Sequence, residues 1–202
     1  DSLNNEYLGT DGLRHAIPPT LLISAIGIID DINQAVTLDL KSAGSAIYLV
    51  GEHQPCLQGS HFEMLYPVSP NQAVPGLSHD APMLYRALHQ AIKTGLVRAC
   101  HDLSEGGLSI AAAEMCMAGR LGMSIDLPEA DLALALFGET NGCFLVEVSA
   151  NLCTAFEASL ASPHLTRIGA VTQDPDLSIR IGGKPAISIL VEELLAAWKT
   201  HQ

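Results

Sequence analysis

Basic residues are scarce. Lysine and arginine number 10 against 22 aspartates and glutamates, a formal charge of −12 over 202 residues. A groove that neutralises a run of nucleic-acid phosphates needs the opposite balance, so nucleic acid is not an expected partner. A single nucleotide is compatible with that charge, because backbone N–H groups and a divalent cation can hold it. Paired cysteine motifs are missing as well. The cysteines Cys56, Cys100, Cys116, Cys143 and Cys153 are odd in number and form no C-x-x-C pair. That argues against a disulfide framework or a zinc knuckle and predicts a reducing, cytoplasmic compartment. The longest apolar stretch, Leu21 to Ile29, is interrupted by Ser24 and falls far short of the roughly 20 residues that span a bilayer. No charged-then-apolar leader opens the chain, and no membrane partner is expected. Neither a G-x-S-x-G elbow, an H-E-x-x-H helix nor a G-x-x-x-x-G-K-[ST] loop occurs, so those three chemistries lack their parts.

What is present is a globular composition, 48% hydrophobic and 16% charged with a mean hydropathy of +0.27. The length fits one compact domain able to bury roughly 70% of its unfolded surface. The chain opens on Asp1 rather than methionine, inside a polar, aperiodic stretch, and is expected to be a piece of something longer. Residues 1–17 then read as a remnant or linker, and 18–202 as the domain proper. Thr20 to Ile29 reads as a buried strand, and Ala46 to Val50, a second short apolar run ended by Gly51, as a strand rather than a helix on length. Ala81 to Gly95 reads as a helix behind Asp80, Leu96 to Cys100 as a strand, and Leu108 to about Ala118 as an amphipathic helix stopped by Gly119. Met123 to Leu127 reads as a strand, Leu132 to Leu136 as a short helix or turn, and Cys143 to Val148 as a half-buried strand by its alternation. A helix from Asn151 to Leu160 follows. Leu165 to Val171 and Leu177 to Ile181 resemble a hairpin, and Ile187 to Trp198 a closing helix. The fold class is α+β or mixed α/β, in layers.

The strongest local constellation is His101-Asp102-Leu103-Ser104-Glu105-Gly106-Gly107, at a strand-to-helix junction. Helix N–H groups there suit phosphate, Gly106 and Gly107 allow close backbone approach, Ser104 adds a hydroxyl, and Asp102 is a hard ligand for magnesium. By spacing alone the plainer alternative leads: Asp102 or Ser104 caps the helix and the glycines make the turn. Phe137-Gly138-Glu139-Thr140-Asn141-Gly142 reads as an ordinary turn. Gln58-Gly59-Ser60-His61 is a weak candidate for a cleft wall. His53 and His61 read as solvated loop residues, His101 as either functional or half-buried at a strand end, and Cys100 and Cys116 as small core residues.

HDLSEGGLSIAAAEM, with PMLYRALHQAIKTGLVRA before it and MAGRLGMSIDL after it, resembles the C-terminal part of the synthetase of the phosphoribosylformylglycinamidine synthase family. TLLISAIGIIDD, QGSHFEM and FGETNGCFLVEVS extend the resemblance, and DSLNNE resembles the end of that family's "GKDSLNN" segment. The resemblance implies an α/β/α arrangement, a mixed sheet covered by helices, as in the C-terminal domain of aminoimidazole ribonucleotide synthetase. It also implies a share in an ATP-dependent ligase. In that reaction formylglycinamide ribonucleotide, ammonia from glutamine and ATP give formylglycinamidine ribonucleotide, ADP and phosphate, in purine biosynthesis. Implied partners are the remaining subdomains, a glutaminase subunit or domain and the ribonucleotide substrate; a homodimer is left open. The cofactors implied are ATP or ADP with Mg²⁺. Residue by residue, Asp102 matches a magnesium ligand and Ser104 a nucleotide contact at the Gly106-Gly107 turn, with Ser2 matching a serine near the ligand. Thr140, Asn141 and Cys143 depart from the family's substrate loop, where Ser, Gln and Arg are frequent. No catalytic base is therefore assigned, and an auxiliary Mg-nucleotide site with a core interface is the expectation. The alternatives are aminoimidazole ribonucleotide synthetase or another superfamily member, and a purely structural domain.

Overall fold

Residues 6–17, 22–68, 74, 76 and 78–200 are described in the computed structural model of the chain. Two compact units are present, the first ending at Ile32 and the second beginning at Asn33. In the first unit β1 (Glu6–Leu8) and β2 (Arg14–Ala16) form a small antiparallel hairpin, so the stretch read as aperiodic carries regular structure. The buried strand expected over Thr20 to Ile29 is overturned. Residues 22–29 have no regular secondary structure, and Leu22 and Ile26 are 89% and 99% exposed. β-branched composition cannot make a strand without a partner edge. Thr20 and Leu21 lie outside the described residues, as does Ser2.

The second unit carries β3 (Ala46–Val50), α1 (His61–Leu65), α2 (Ala81–Lys93), β4 (Ala99–Asp102), α3 (Gly107–Gly119), β5 (Gly122–Leu127) and α4 (Leu132–Phe137). It continues with β6 (Phe144–Val148), α5 (Cys153–Leu160), β7 (Leu165–Thr172), β8 (Asp176–Ile181), β9 (Lys184–Leu190) and α6 (Val191–Thr200). The seven strands form one mixed sheet in the order β4-β6-β3-β7-β5-β8-β9, antiparallel throughout except for the parallel pair β5/β8. Alternation along β3 sends Ile47 and Leu49 to one face and Ala46, Tyr48 and Val50 to the other. On the first face they pack with α3, α4 and α6, on the second with α2 and α5. This is the expected α/β/α arrangement, a mixed sheet covered by helices.

α2 forms because Ala81, Leu84, Leu88 and Ala91 make one buried stripe, with Pro82 in the first turn. α3 differs from the amphipathic expectation. It is buried almost all round, from Leu108 to Cys116, because α4 and α6 flank it and its alanines admit close neighbours. β6 is likewise buried on both faces rather than one. Glu147, fully buried there, is tolerated because its carboxylate accepts from the backbone N–H groups of Lys41 (2.7 Å) and Ser42 (3.1 Å).

Two connections differ from the sequence reading. β7 and β8 do not pair, because β5 lies between them. The hairpin is instead β8/β9, turned by Gly182-Gly183 at φ +57° and +75°, the two positive values that a two-residue turn demands. Consequently residues 187–190, read as helix, are the end of a strand, and the closing helix begins at Val191.

Candidate functional site

A cleft of about 610 Å³ opens at the carboxyl end of β4. Asp102, Ser104 and Glu105 line one part of it, Glu139 to Gly142 a second, Gln58 and Gly59 a third, and Tyr85 with Phe144 an aromatic wall. The strand begins later than its apolar run suggested, at Ala99, and so carries His101 and Asp102 within it. Period two then divides them. His101 turns toward α3, where its Nε2 meets Glu114 Oε2 at 2.6 Å, while Asp102, its side chain 62% exposed, lines the cleft. His101 Nδ1 also lies 3.3 Å from Asp102 Oδ1. Asp102 stands directly opposite Phe144 in the antiparallel β4/β6 pair.

The start of α3 is capped by neither Asp102 nor Ser104. Gly106 occupies the N-cap at φ +78° with no side-chain cap of its own. Its N–H donates to Glu139 Oε1 (2.9 Å), 33 residues away, and the N–H of Gly107 donates to the Ser104 carbonyl (3.2 Å). The same Glu139 oxygen accepts from the N–H of His61 (2.8 Å). Glu139's backbone in turn exchanges two hydrogen bonds of 2.9 Å with Cys56. A segment that reads as an ordinary turn is thus the knot that ties the 56–61 loop, the α4–β6 loop and the head of α3 together. A carboxylate at a helix N-terminus complements the unpaired N–H groups and the helix dipole, which is why this glutamate holds there.

Gly107 has a separate task. At φ +67° it lets α3 start against the 137–138 backbone, and an added Cβ would lie 2.5 Å from the Gly138 carbonyl oxygen. Of the weaker candidates, Gln58 and Gly59 do line the cleft, whereas Ser60 is buried and donates to the Leu57 carbonyl. His53, read as solvated, is half-buried, and its Nε2 is buried with no hydrogen-bond partner; desolvation holds its pKa below the usual histidine value.

Three of the thiols are held protonated. Burial pushes Cys100 and Cys116 up to about 12 and Cys143, on the cleft wall, up to about 11. A thiol whose folded pKa is raised contributes stability that is full below its unfolded pKa, about 8.5, and lost as pH rises through the folded value. The unfolding free energy is therefore expected to carry no pH dependence from these thiols up to about pH 8.5. It should then fall by at most about 1.4 kcal/mol per thiol per pH unit toward pH 11. Denaturant titrations at pH 8, 9.5 and 10.5 check this: the double variant Cys100→Ala/Cys116→Ala should show a clearly shallower decline, and an unchanged slope contradicts it.

Among the described residues that line the cleft are three carboxylates, Asp102, Glu105 and Glu139, and no lysine or arginine. No cluster of three or more metal-ligating side chains exists among the described residues. A fully protein-coordinated metal centre is thus not what this geometry makes. A hard cation that takes one ligand from an exposed carboxylate and the rest from water and phosphate oxygens fits it.

Residues 42–182 match the family described as AIR synthase related protein, C-terminal domain. The chain is 34% identical over 192 residues, 92% of its length, to the phosphoribosylformylglycinamidine synthase subunit PurL of Methanothrix thermoacetophila, of which it covers 25%. Among solved structures it resembles Thermotoga maritima PurL complexed with FGAR, at TM-score 0.69 and 18% identity, over 81% of this chain and 30% of that one. It also resembles the same protein complexed with ATP, at TM-score 0.63 and 17% identity, over 81% and 27%. The chain therefore spans about a quarter of the length of these relatives. Layer order, strand topology and the match over most of the second unit agree: the chain belongs to the AIR synthase related family and carries its C-terminal domain.

Proposed function

We propose that this domain is part of a cytoplasmic, ATP-dependent ligase that converts formylglycinamide ribonucleotide to its amidine with glutamine-derived ammonia, releasing ADP and phosphate. Within that enzyme its cleft is an auxiliary Mg-nucleotide site, and its partners are the remaining subdomains and a glutaminase. Support for the enzyme comes from similarity over nearly the whole chain to PurL, and for the site from the cleft itself. The observation that carries the site is the all-acidic lining: phosphates facing Asp102, Glu105 and Glu139 with no basic side chain need a cation between.

Asp102 would hold Mg²⁺, with the Ser104 hydroxyl donating to a phosphate oxygen. Magnesium, when bound, neutralises phosphate charge and bridges phosphate oxygens to the protein. Gly106 and Gly107, proposed from the sequence as nucleotide contacts, do not line the cleft: their N–H groups are given to Glu139 and Ser104, and an added Cβ would meet Ile110 and the Gly138 carbonyl respectively. His101, the histidine nearest the head of α3, is not placed to act as a base in the cleft, because it turns away toward Glu114. Cys143, buried and protonated, offers no charge where a substrate phosphate would need one. Those two facts support an auxiliary rather than a working site.

Asp102→Ala in the intact synthetase tests this. The expected result is turnover within a few-fold of wild type, with bound nucleotide lost and thermal stability lowered. A collapse of turnover at unchanged melting temperature would place the loop in the working cleft and overturn the auxiliary reading.

A further inference from the structure

The cleft carries two aromatic rings beside its polar side chains, and the metal-phosphate reading uses only the polar ones. Tyr85 projects from α2, a helix whose buried stripe faces the core, yet its ring lines the cleft and is 37% exposed. It is held in place from two sides. Its ring meets that of Phe144 edge to face, centroids 5.7 Å apart and planes at 88°. Its hydroxyl sits against Gly142, so close that a Cβ there would collide with it. Phe144 is in turn the direct cross-strand neighbour of Asp102, so the two side chains rise from the same face of the sheet. Carboxylate, first ring and second ring therefore form a row along one wall, with the buried Cys143 behind it.

We infer that Tyr85, backed by Phe144, is the platform on which the base of the bound nucleotide stacks, and so the residue that makes this cleft prefer a nucleotide to a bare phosphate. The inference rests on the Mg-nucleotide reading of the same cleft and adds to it the part of the ligand that the polar residues leave unrecognised. A ring fixed by its neighbours loses little freedom when a base is laid on it, and base–aromatic stacking depends on the π-face rather than on hydrogen-bond readout. The platform should therefore strengthen binding of any nucleoside diphosphate and do nothing for pyrophosphate.

The experiment uses the 202-residue chain with Mg-ADP, Mg-pyrophosphate and the fluorescent ethenoadenosine diphosphate with magnesium, followed by calorimetry and emission. Tyr85→Ala is expected to weaken Mg-ADP about tenfold or more, leave Mg-pyrophosphate within twofold, and abolish the quenching of the etheno base. Tyr85→Phe should restore both affinity and quenching, whereas Tyr85→Leu, which keeps apolar volume without a π-face, should not. Melting temperatures of all three variants show whether the fold is intact. If the wild-type chain holds Mg-pyrophosphate as tightly as Mg-ADP, or the leucine variant matches wild type, the platform is refuted while the metal-phosphate site stands. Equal weakening of both ligands in Tyr85→Ala assigns the residue a structural role and overturns the inference. Absence of binding by either ligand to the wild-type chain refutes the platform and the site together.

Discussion

Gly107→Ala is expected to lower the unfolding free energy by about 2–5 kcal/mol, a large share of the roughly 5–15 kcal/mol that holds a domain of this size. Two costs add. Placing a Cβ on a residue at φ +67° costs about 1–2 kcal/mol. The new methyl group would also lie 2.5 Å from the Gly138 carbonyl oxygen and 3.0 Å from the Phe137 carbonyl carbon. Both are backbone atoms that cannot swing aside, and such overpacking costs typically about 1–3 kcal/mol. Gly183 separates the two terms, because it has a similar φ of +75° and nothing within 4 Å of the position of an added Cβ. Gly183→Ala should cost only about 1–2 kcal/mol. Urea midpoints of the two variants measure the difference, and equal losses would show that α3 does not need its close approach to the 137–138 backbone.

Glu139→Ala carries the second large effect, about 2–3 kcal/mol, with a signature that a general loss of packing would not give. One carboxylate oxygen accepts from Gly106 N–H and from His61 N–H. Charge-assisted hydrogen bonds of this kind contribute about 1.5–3 kcal/mol each, and the group is partly screened because a quarter of its side chain is exposed. Removing it leaves the head of α3 uncapped and frees the His61 N–H, while the backbone bonds between residues 139 and 56 remain. Amide hydrogen exchange should accelerate at Gly106 and His61 together, while Ile179, central in β8, stays protected. Glu139→Gln keeps an acceptor oxygen and should lose about half as much stability. Acceleration at only one of the two amides would mean that Glu139 does not join the segments.

Much of the layered fold was legible because its signals are local. Leu84, Leu88 and Ala91 mark one helix face, the apolar run 46–50 is short enough to read as strand rather than helix, and the Gly-Gly step after Glu105 marks the head of a helix. The errors arose where pairing is nonlocal. Nothing in residues 165–181 says that β5 will slide between β7 and β8, although Gly182-Gly183 was a readable hairpin signal that pointed to β8/β9 instead. Residues 22–29 have strand composition, but composition does not supply the neighbour a strand requires.

The site divides along the same line. Asp102 and Ser104 were visible from the junction they occupy, and both line the cleft. The capping role of Glu139 was invisible because its partners lie 33 and 78 residues away. Tyr85 was hidden by its place on the outer side of an amphipathic helix, where a sequence pattern reads solvent. His101 looked equivalent to Asp102 by position, yet the alternation of β4 sends it to the opposite face, against Glu114.

Equilibrium binding of Mg-ADP to the 202-residue chain and to Asp102→Ala, with and without EDTA, tests the central claim most directly. A saturable, magnesium-dependent site is expected in the wild-type chain, with its affinity reduced about a hundredfold in the variant and abolished by the chelator, about 2.7 kcal/mol of binding free energy. Equal affinity in the two proteins, or binding that survives EDTA unchanged, would contradict the assignment of this cleft as a Mg-nucleotide site held by Asp102.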